Sequence, residues 1–529
     1  MSAETRSCNQ RPASSPVTSS LRQSERSAYA APDSSEATGS MGVIETRIGA
    51  VGMMPGVDPP LSSLIERLPP GTVSTHPGEV AVHARDRWSL AMLRDARGDR
   101  VPPPAAVVFA TSTDHVATVL AWAQETGVAV VARGGGTGLT GGAGAIPRSV
   151  VIDLSRMDRI LAIDEVSQTV TAQAAVKGGD LEAALARRGL TAGHDPESLA
   201  SSTVGGWIAS RSAGAASAGY GTIEEMLLGL TVVVGSGDVV RLASIPRGGP
   251  GPDLRRLFAG SEGAFGVITE ATLAVARAPK EYLWDTLRPN SFESGAALVR
   301  EIVQRRFRPL VMRLLDAEEA AFAFDGLGHS GAALLIGFDG EAPAAAAQWF
   351  HLRELGKQFG ARSIGPELAT HWWDHRYDAF GWYQGVMGPA RTMGPGVLVD
   401  VLDAASLWRH VPRLYEDVRG VLLEHAETVR CRLAHAYQSG AAVHFTFVLR
   451  GADDDEVERL YEAAWKDAAA ACLAAGATIA HDQGVGVLKV PFAAEELGPD
   501  GSGALRTVKR AFDPGGVLNP GKLLPTEGR

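Results

Sequence analysis

A run of glycines that follows a short apolar segment constrains this chain more than any other feature. Val128 to Val131 predicts a buried strand, and the residues after it are Arg133-Gly134-Gly135-Gly136-Thr137-Gly138-Leu139-Thr140-Gly141-Gly142. Glycine has no Cβ atom and accepts positive φ, so the backbone N–H groups of such a loop can surround a phosphate. The loop matches neither the GxGxxG fingerprint that opens a helix nor a GxxxxGKS/T loop, which argues against a nicotinamide Rossmann site and an ATPase loop.

Two further segments of small residues follow along the chain. Residues 194–207 combine hydroxyl side chains, glycines and Trp207, and residues 260–269 form another small-residue turn that runs into a strand pattern. Each segment alone could be structural. Three of them, separated by roughly the spacing of supersecondary units, predict one extended ligand that all three contact.

The patterns around these segments alternate between strand and helix. Val107 to Phe109 predicts a strand, and the next helix begins after Ser112 and ends at Gly127. Farther along, Thr231–Val234 and Val239–Leu242 flank a glycine-rich turn, which is the signal of a β-hairpin. These patterns predict an α+β fold.

A change of composition near Pro279 begins a second region. Pro412–Leu423 and Asp453–Ala475 predict long helices, and Ala442–Leu449 predicts a strand between them. We therefore expect helices packed on an antiparallel sheet. Since 529 residues exceed what one hydrophobic core usually supports, two lobes separated by a cleft are expected.

Charge and cysteine content exclude several classes of protein. The net charge is −10 and no block of Lys and Arg occurs, so nucleic acid is not an expected partner. Cys8, Cys431 and Cys472 form neither a disulfide framework nor a thiolate metal site. No apolar run is long enough to span a bilayer and no secretory signal is recognisable, so the expected location is cytoplasmic, with peripheral membrane contact left open.

The order of the motifs resembles alkyldihydroxyacetonephosphate synthases. The resemblance rests on Gly134–Thr137, on residues 194–208, on Tyr220-Gly221-Thr222-Ile223-Glu224 and on residues 260–270. Residues 512–522, Phe-Asp-Pro-Gly-Gly-Val-Leu-Asn-Pro-Gly-Lys, are similar to the closing motif of FAD-linked oxidases in general. The resemblance implies the two-lobed fold of that family, a PCMH-type FAD-binding domain with an α+β cap.

Together with composition, the resemblance divides the chain into five parts. They are a disordered tail (1–58), an N-terminal helical segment (59–101), the FAD-binding domain (102–278), the substrate cap domain with an antiparallel sheet covered by helices (279–504), and a C-terminal segment (505–529) that returns to the FAD-binding domain.

The resemblance also implies which residues contact FAD. Carried over residue by residue, these contacts are Ala132, Arg133, Gly134, Gly135, Gly136, Thr137, Gly138, Glu197, Ser198, Leu199, Ala200, Ser201, Ser202, Thr203, Ser210, Arg211, Ser212, Ala213, Glu262, Gly263, Ala264, Phe265, Gly266, Val267 and Ile268. Relatives with covalently bound flavin often carry a histidine in the glycine loop. Since Thr137 lies nearby here instead, FAD is expected to bind without a covalent link.

The second region supplies the candidate catalytic residues, again by resemblance. Tyr437, His444 and His481 correspond to active-site motifs, and a flavin reaction at a substrate carbon needs a proton acceptor. His444 alternates with phenylalanines, so a purely structural role is the alternative. Arg313 matches a family arginine, and if it is buried it must pair with a structural carboxylate or with an anionic substrate. Lys489 and Arg432 are weaker candidates because a lone cation usually lies at the surface.

Departures from the synthase pattern affect the predicted reaction. His444 stands where the synthases have a tyrosine, His481-Asp482-Gln483 stands where they have three histidines, and Tyr383 stands where they have a substrate-binding arginine. An altered substrate or altered chemistry is therefore expected within a synthase-like enzyme. The substrate is expected to be a small or lipid-like molecule, and a homodimer stays open.

Two alternatives remain. The first is an FAD-linked oxidase or dehydrogenase of a 2-hydroxy acid or another alcohol, since the strand 442–445 is similar to a metal-binding Asn-Leu-His motif of glycolate- and D-lactate-type enzymes. The second histidine of that motif would fall at Tyr437, and the Glu-His-Gly element corresponds to Asp482-Gln483-Gly484, so no metal site is predicted. The second alternative is an FAD-binding protein without catalytic activity.

Overall fold

A small parallel sheet carries the glycine-rich loop. The structure, a computed structural model, describes residues 59–99, 101–341 and 343–526, and the tail predicted for residues 1–58 lies outside them. The sheet consists of β1 (Val73–Ser74), β2 (Ala106–Phe109), β3 (Val130–Arg133) and β4 (Val150–Asp153), in the order β1-β2-β4-β3. Both β2 and β3 pair with β4 in parallel, so β4 separates the two strands of the βαβ unit.

Four helices precede or connect these strands. They are α1 (Leu61–Arg67), α2 (Pro77–Val82), α3 (Ser89–Arg97) and α4 (Thr113–Thr126). The signals predicted for α4 are confirmed: the side chain of Ser112 accepts a hydrogen bond from the N–H of His115, and Gly127 ends the helix with φ +71°.

The next part of the chain forms a five-stranded antiparallel sheet. Its region contains β5 (Ile160–Asp164), β6 (Thr169–Gln173), β7 (Leu190–Thr191), β8 (Leu227–Val233), β9 (Val239–Leu242), β10 (Val267–Ala274) and β11 (Ala276–Arg277). The sheet order is β5-β6-β10-β8-β9, while β7 pairs with β11. The predicted hairpin is confirmed as β8–β9. Short helices connect the strands, namely α5 (Gly178–Ala186), α6 (Val204–Ser210), α7 (Ser217–Tyr220), α8 (Ile223–Met226) and α9 (Arg255–Phe258).

A seven-stranded antiparallel sheet follows. Its strands are β12 (Tyr282–Arg288), β13 (Val311–Leu315), β14 (Ala333–Asp339), β15 (Arg362–Ser363), β16 (Val397–Leu407), β17 (Thr428–Ala436) and β18 (Gly440–Arg450), in the order β15-β12-β14-β13-β17-β18-β16. Eight helices belong to this region: α10 (Phe292–Gln304), α11 (Ala317–Ala323), α12 (Pro343–Gln358), α13 (Glu367–Asp374), α14 (Asp378–Met387), α15 (Val411–Leu423), α16 (Asp454–Ala474) and α17 (Val490–Phe512), which is interrupted at Gly498. The mixture of helices with parallel and antiparallel sheets confirms the α+β class.

The two faces of the seven-stranded sheet differ in chemistry. Successive residues of a strand point to opposite faces. On one face, residues such as Leu433 and Phe445 are fully buried in a hydrophobic core that includes Trp465 of α16. On the other face, Arg432 and His444 are 8% and 5% exposed, and they lie directly opposite each other on β17 and β18. The polar face is therefore almost as inaccessible as the core.

The last described residues pack against the glycine-rich loop. The N–H of Val130 donates to the carbonyl of Val517, and the N–H of Asn519 donates to the carbonyl of Val130, both at 2.8 Å. The side chains of Asn519 and Lys522 each donate to the carbonyl of Gly142 at 3.0 Å. Residues 517–522 thus complete the edge of β3 and hold the loop that follows it.

None of the helices in the described ranges combines the length and the apolar character that crossing a lipid bilayer would require.

Candidate active site

A large cavity lies where the three small-residue segments meet the polar face of the seven-stranded sheet. It has about 1610 Å³ of empty volume, including the part open to solvent. Most of the predicted cofactor contacts line it: Ala132, Arg133, Gly134, Gly135, Gly136, Thr137, Gly138, Glu197, Ser198, Ser202, Thr203, Ser210, Ser212, Ala213, Glu262, Gly263, Gly266, Val267 and Ile268. The residues that line it beyond these include Trp207, Phe380 and Gln483.

The close contact between two of the segments explains the need for glycine. A Cβ atom at Gly135 would overlap the carbonyl oxygen of Ser201, and one at Gly134 would overlap the hydroxyl of Thr203. Gly136 has φ +60°, a conformation that side chains disfavour. The two segments therefore form one continuous backbone wall, which only glycine permits.

Several other predicted contacts do not line the cavity, although the carbonyl of Ser201 packs directly against Gly135 of its wall. They are Leu199, Ala200, Ser201, Arg211, Ala264 and Phe265. Ala264 and Phe265 are 2% and 3% exposed and belong to the hydrophobic core, and Leu199 packs against the same core. Arg211 forms an ion pair with Glu224 at 3.6 Å. Only part of each predicted run therefore lines the cavity, because consecutive side chains of a turn point in different directions and cannot all face one ligand.

The opposite wall of the cavity is the polar face of the sheet. Arg313 of β13, Arg432 of β17 and His444 of β18 line it. His435 also lines it, and the sequence analysis missed this residue. The pairing of β17 with β18 shifts register between Leu433 and His435, so a bulge turns His435 to the face that carries Arg432. A regular strand would have placed His435 in the core.

Two glutamates pair with the arginines of this wall. Arg313 and Arg432 contact the same carboxylate oxygen of Glu197, at 3.5 and 3.2 Å. Arg432 also contacts Glu319 at 3.1 Å, and Arg430 lies 3.7 Å from that carboxylate. The expectation that Arg432 is a surface residue is wrong, because a partner 235 positions away in sequence keeps it buried beside the cavity.

Three histidines surround one aspartate next to the arginines. The carboxylate of Asp482 lies 3.5 Å from His435, 3.5 Å from His444 and 3.7 Å from His481. Nε2 of His481 is hydrogen-bonded to the hydroxyl of Tyr437 at 2.7 Å. The three predicted catalytic residues therefore belong to one cluster, although only His444 lines the main cavity, and Tyr437 lines a second cavity beside Ser217 to Gly221.

Burial and contacts within the cluster together set the charge of its members. It lowers the pKa of His435 to about 4 and holds the pKa of His444 well below 6.5, so both imidazoles are neutral at neutral pH. Burial disfavours ionised Asp482, yet the neighbouring histidines hold the pKa of that carboxyl well below its usual range. Burial also opposes protonation of His481, but Asp482 raises its pKa above the ordinary value. Both ring nitrogens of His444 are buried without a hydrogen-bond partner among the described residues.

The same four groups could hold a metal ion. One ligand atom from each of His435, His444, His481 and Asp482 lies within 4.8 Å of the others. Imidazole and carboxylate ligands suit several divalent metals. No metal site was predicted, because the resemblance to the metal-binding motif puts its second histidine at Tyr437, whereas the bulge brings His435 into place.

One carboxylate holds the turn that carries the cluster. Oδ2 of Asp403 accepts hydrogen bonds from the backbone N–H groups of His481, Asp482 and Gln483 at 2.8, 2.9 and 3.1 Å. Lys489 donates to the other oxygen of Asp403, and both side chains are completely buried. Since an uncompensated charge in such a place is costly, each group requires the other. The expectation that Lys489 is a surface residue is therefore wrong.

Glu262 holds the residues that follow this turn. Its carboxylate accepts hydrogen bonds from the N–H groups of Val485 and Gly486 at 2.6 and 2.9 Å. Glu262 belongs to the third small-residue segment, so the cofactor side of the cavity is tied directly to the turn that carries His481 and Asp482.

Tyr383, which stands where the synthases have an arginine, does not face the cavity. It is 6% exposed, and its hydroxyl donates to the backbone carbonyl of Arg87 at 2.6 Å and contacts the hydroxyl of Ser89 at 2.9 Å. Its role is to join α14 to the segment that leads into α3.

Comparison with known proteins gives two family matches and a set of relatives. Residues 104–243 match the model described as FAD binding domain, and residues 286–523 match the model of the C-terminal domain of FAD linked oxidases. Alkyldihydroxyacetonephosphate synthase of Trypanosoma brucei brucei is 32% identical over 476 residues, covering 84% of this chain and 76% of that protein. Glycolate oxidase subunit GlcD of Bacillus subtilis is 28% identical over 433 residues, covering 80% and 90%.

Solved structures show the same fold. A structure of alkyldihydroxyacetonephosphate synthase matches with a TM-score of 0.71 at 21% identity, covering 90% of this chain and 87% of that one. A structure of p-cresol methylhydroxylase with substrate bound matches with a TM-score of 0.73 at 16% identity, covering 87% and 95%.

We predict that Gly135→Ala impairs flavin binding. The new methyl group would overlap the carbonyl of Ser201, and overpacking of this kind typically costs about 1–3 kcal/mol. Flavin affinity, measured by titrating flavin into the flavin-free protein, should fall about tenfold or more. Gly503→Ala is the matched control, since nothing lies within 4 Å of a Cβ atom there. Equal flavin affinity of both variants would contradict the proposed wall.

We predict that Asp403→Asn destabilises the protein by about 3–5 kcal/mol, because Lys489 would be left buried without a counter-charge. Urea denaturation followed by circular dichroism measures this loss. Replacing both residues, as Asp403→Asn with Lys489→Met, should recover part of it. Glu427→Gln, which removes the exposed partner of Arg450, should change the free energy of unfolding by less than about 1 kcal/mol. A similar small change at Asp403 would contradict this account.

Proposed function

The chain belongs to the family of FAD-linked oxidases that includes alkyldihydroxyacetonephosphate synthase, and on this premise we propose that it oxidises an anionic 2-hydroxy acid or a similar alcohol. It is an FAD-dependent enzyme. The residues present fit the cofactor, since all three small-residue segments line one cavity. The lack of side chains at Gly134 and Gly135 lets the first two segments pack against each other at its wall. Attachment without a covalent bond stays a prediction.

One observation carries the proposal. The cavity that holds the flavin-binding segments is lined on its far side by two buried arginines, Arg313 and Arg432, and by the neutral imidazole of His444. Arginine pairs with carboxylates and phosphates through parallel hydrogen bonds, which fixes both position and orientation. A substrate with an anionic group beside its reacting carbon would thus be held with its hydroxyl near the histidine cluster.

The histidine cluster supports proton transfer. Because burial lowers the pKa of His444, its imidazole is neutral and can accept the hydroxyl proton of the substrate. The carboxylate of Asp482, 3.5 Å away, would stabilise the positive charge that results. When bound, FAD supplies the acceptor for the two electrons of the substrate C–H bond. The protein's own groups then bind, orient and deprotonate the substrate.

A reaction of the alkyldihydroxyacetonephosphate synthase type is the second candidate. The hydrogen bond of 2.7 Å between Tyr437 and His481 favours it, since both residues correspond to active-site motifs of that family. The phosphate of such a substrate would also suit the two arginines. The third hypothesis, an FAD-binding protein without activity, leaves the ordered cluster without a role. The cytoplasmic location, the small-molecule or lipid-like substrate and the homodimer stay predictions.

We predict that D-lactate or glycolate bleaches the flavin in the absence of oxygen, and that 1,2-propanediol, which lacks the carboxylate, does not. Stopped-flow absorbance measures the rate of bleaching. Equal bleaching by the acid and the diol would contradict a role for the arginines. No bleaching, together with exchange of the acyl chain of acyl-dihydroxyacetonephosphate for a fatty alcohol, would establish the second candidate instead. If neither reaction occurs, the third hypothesis, an FAD-binding protein without activity, remains.

We predict that His444→Ala and His481→Ala each lower turnover by about 10²–10⁴-fold while the flavin content per chain is unchanged, since general-base catalysis contributes effects of this size. Replacement of the exposed His351 by alanine is the control. Protonation of His444 should not cause a decline of kcat as the pH falls through 6.5, because burial holds the pKa of His444 well below that value. Unchanged turnover in both cluster variants would remove these residues from the mechanism.

A further inference from the structure

Glu197 lies between the two arginines that face the substrate side of the cavity. A single oxygen, Oε1, contacts Nη1 of Arg313 at 3.5 Å and Nη2 of Arg432 at 3.2 Å. Glu197 comes from the second small-residue segment, whereas both arginines come from the seven-stranded sheet. The contact therefore joins the cofactor side of the cavity to its substrate side through one carboxylate.

The contacts of Glu197 are looser than the tightest arginine–carboxylate pairs of the same protein. Arg376 and Asp195 approach to 2.6 Å, as do Arg94 and Glu458. Charge-assisted hydrogen bonds between guanidinium and carboxylate are typically about 2.7–2.9 Å long and often bidentate. Glu197 makes neither short nor paired contacts with either arginine, so its two ion pairs gain less than this geometry allows.

The arginines have more binding capacity than their partners use. Arg313, Arg430 and Arg432 are each 6–8% exposed, and they face two carboxylates, those of Glu197 and Glu319. Nε of Arg432, which lines the cavity, is buried without a hydrogen-bond partner among the described residues. Arg430 also has unpaired donors, but it stacks on Phe322 and does not line the cavity. A buried donor without an acceptor is unfavourable, and an oxyanion in the cavity would satisfy that of Arg432.

Glu197 is the member of this group that can leave. Its side chain is 35% exposed, against 8% and 9% for the side chains of Arg313 and Arg432. It lines the same cavity that admits the substrate, and it belongs to a turn rather than to a strand. A carboxylate that moves out into the cavity keeps its hydration, while the arginines stay fixed by the sheet.

We propose that Glu197 occupies the binding position of the substrate's anionic group and that this group displaces it. The inference rests on the proposed function, because it requires an anionic substrate, and it identifies the residue with which that substrate competes. The incoming ligand is a carboxylate or a phosphate, since either has several oxygens to share between the guanidinium groups. A neutral alcohol cannot compensate Arg313 and Arg432, so Glu197 stays in place against it. The residue thus sets specificity for charged substrates.

Anion binding to the holoenzyme tests the proposal without turnover. Oxalate, which has no C–H bond to oxidise, and inorganic phosphate serve as probes, and the shift of the flavin absorbance reports their binding. Glu197→Gln keeps the size of the side chain and removes its charge. We expect it to lower the Kd of oxalate or phosphate at least tenfold, and the probe with the larger effect identifies the anionic group.

Two further variants control the experiment. Glu318→Gln removes an exposed carboxylate beside Glu319 and should change the Kd less than twofold, which excludes a general effect of charge. Glu197→Asp keeps the charge but shortens the side chain, so it should also tighten binding, and it replaces Glu197→Gln if that variant loses flavin.

The outcomes separate this inference from the proposed function. A Kd for both probes within twofold of the unmodified enzyme in both Glu197 variants would overturn it, as would the absence of anion binding in every protein. Tighter anion binding in a Glu197 variant would support it even if no hydroxy acid bleaches the flavin. Bleaching by D-lactate with unchanged anion affinity would retain the function and reject the role of Glu197.

Discussion

The site depends on a short segment that two buried carboxylates hold from opposite sides. Asp403, from the seven-stranded sheet, binds the backbone of residues 481–483, and Glu262, from the cofactor side, binds that of residues 485–486. Each carboxylate accepts hydrogen bonds from main-chain N–H groups, which need partners when they are buried. Because one carboxylate comes from each wall of the cavity, the turn that carries His481 and Asp482 is fixed to both the sheet and the small-residue segments.

Charge is distributed unequally around that cavity. The arginine group has three cations and two carboxylates. The histidine cluster has one ionised carboxylate, two neutral imidazoles and His481, whose pKa the carboxylate raises. These two groups lie side by side on the same sheet face, since Arg432 and His444 are cross-strand neighbours. Under the proposed function, an anionic substrate would be attracted to the arginine end of the wall, and its hydroxyl proton would be accepted at the histidine end. Because both groups lie on paired strands, the sheet holds the distance between the arginines and the histidines constant.

Much of the architecture follows from local sequence signals. The glycine loop after β3, the caps of α4 and the β8–β9 hairpin each depend on residues close in sequence, and all three were predicted. The insertion of β4 between β2 and β3 was not, because pairing partners far apart in sequence leave no local pattern. Fold class and cofactor could thus be predicted, whereas strand order could not.

The candidate site was predicted in part for the same reason. Arg432 and Lys489 were expected at the surface because the sequence does not show their buried partners, Glu197 and Asp403. His435 was missed because a bulge changes the face to which it points, and regular alternation predicts the wrong one. The short run from Leu433 to His435 contains no glycine that would have marked the irregularity.

The pairing of residues 517–519 with β3 has a consequence for biosynthesis. Asn519 is 377 positions from Gly142, the carbonyl that it binds. A ribosome adds about 5–20 residues per second, so this partner emerges roughly 20–75 s after the glycine loop. During that interval the glycine loop lacks its hydrogen bonds to residues 517–522. The glycine loop therefore gains these hydrogen bonds only after residues 517–522 have been synthesised.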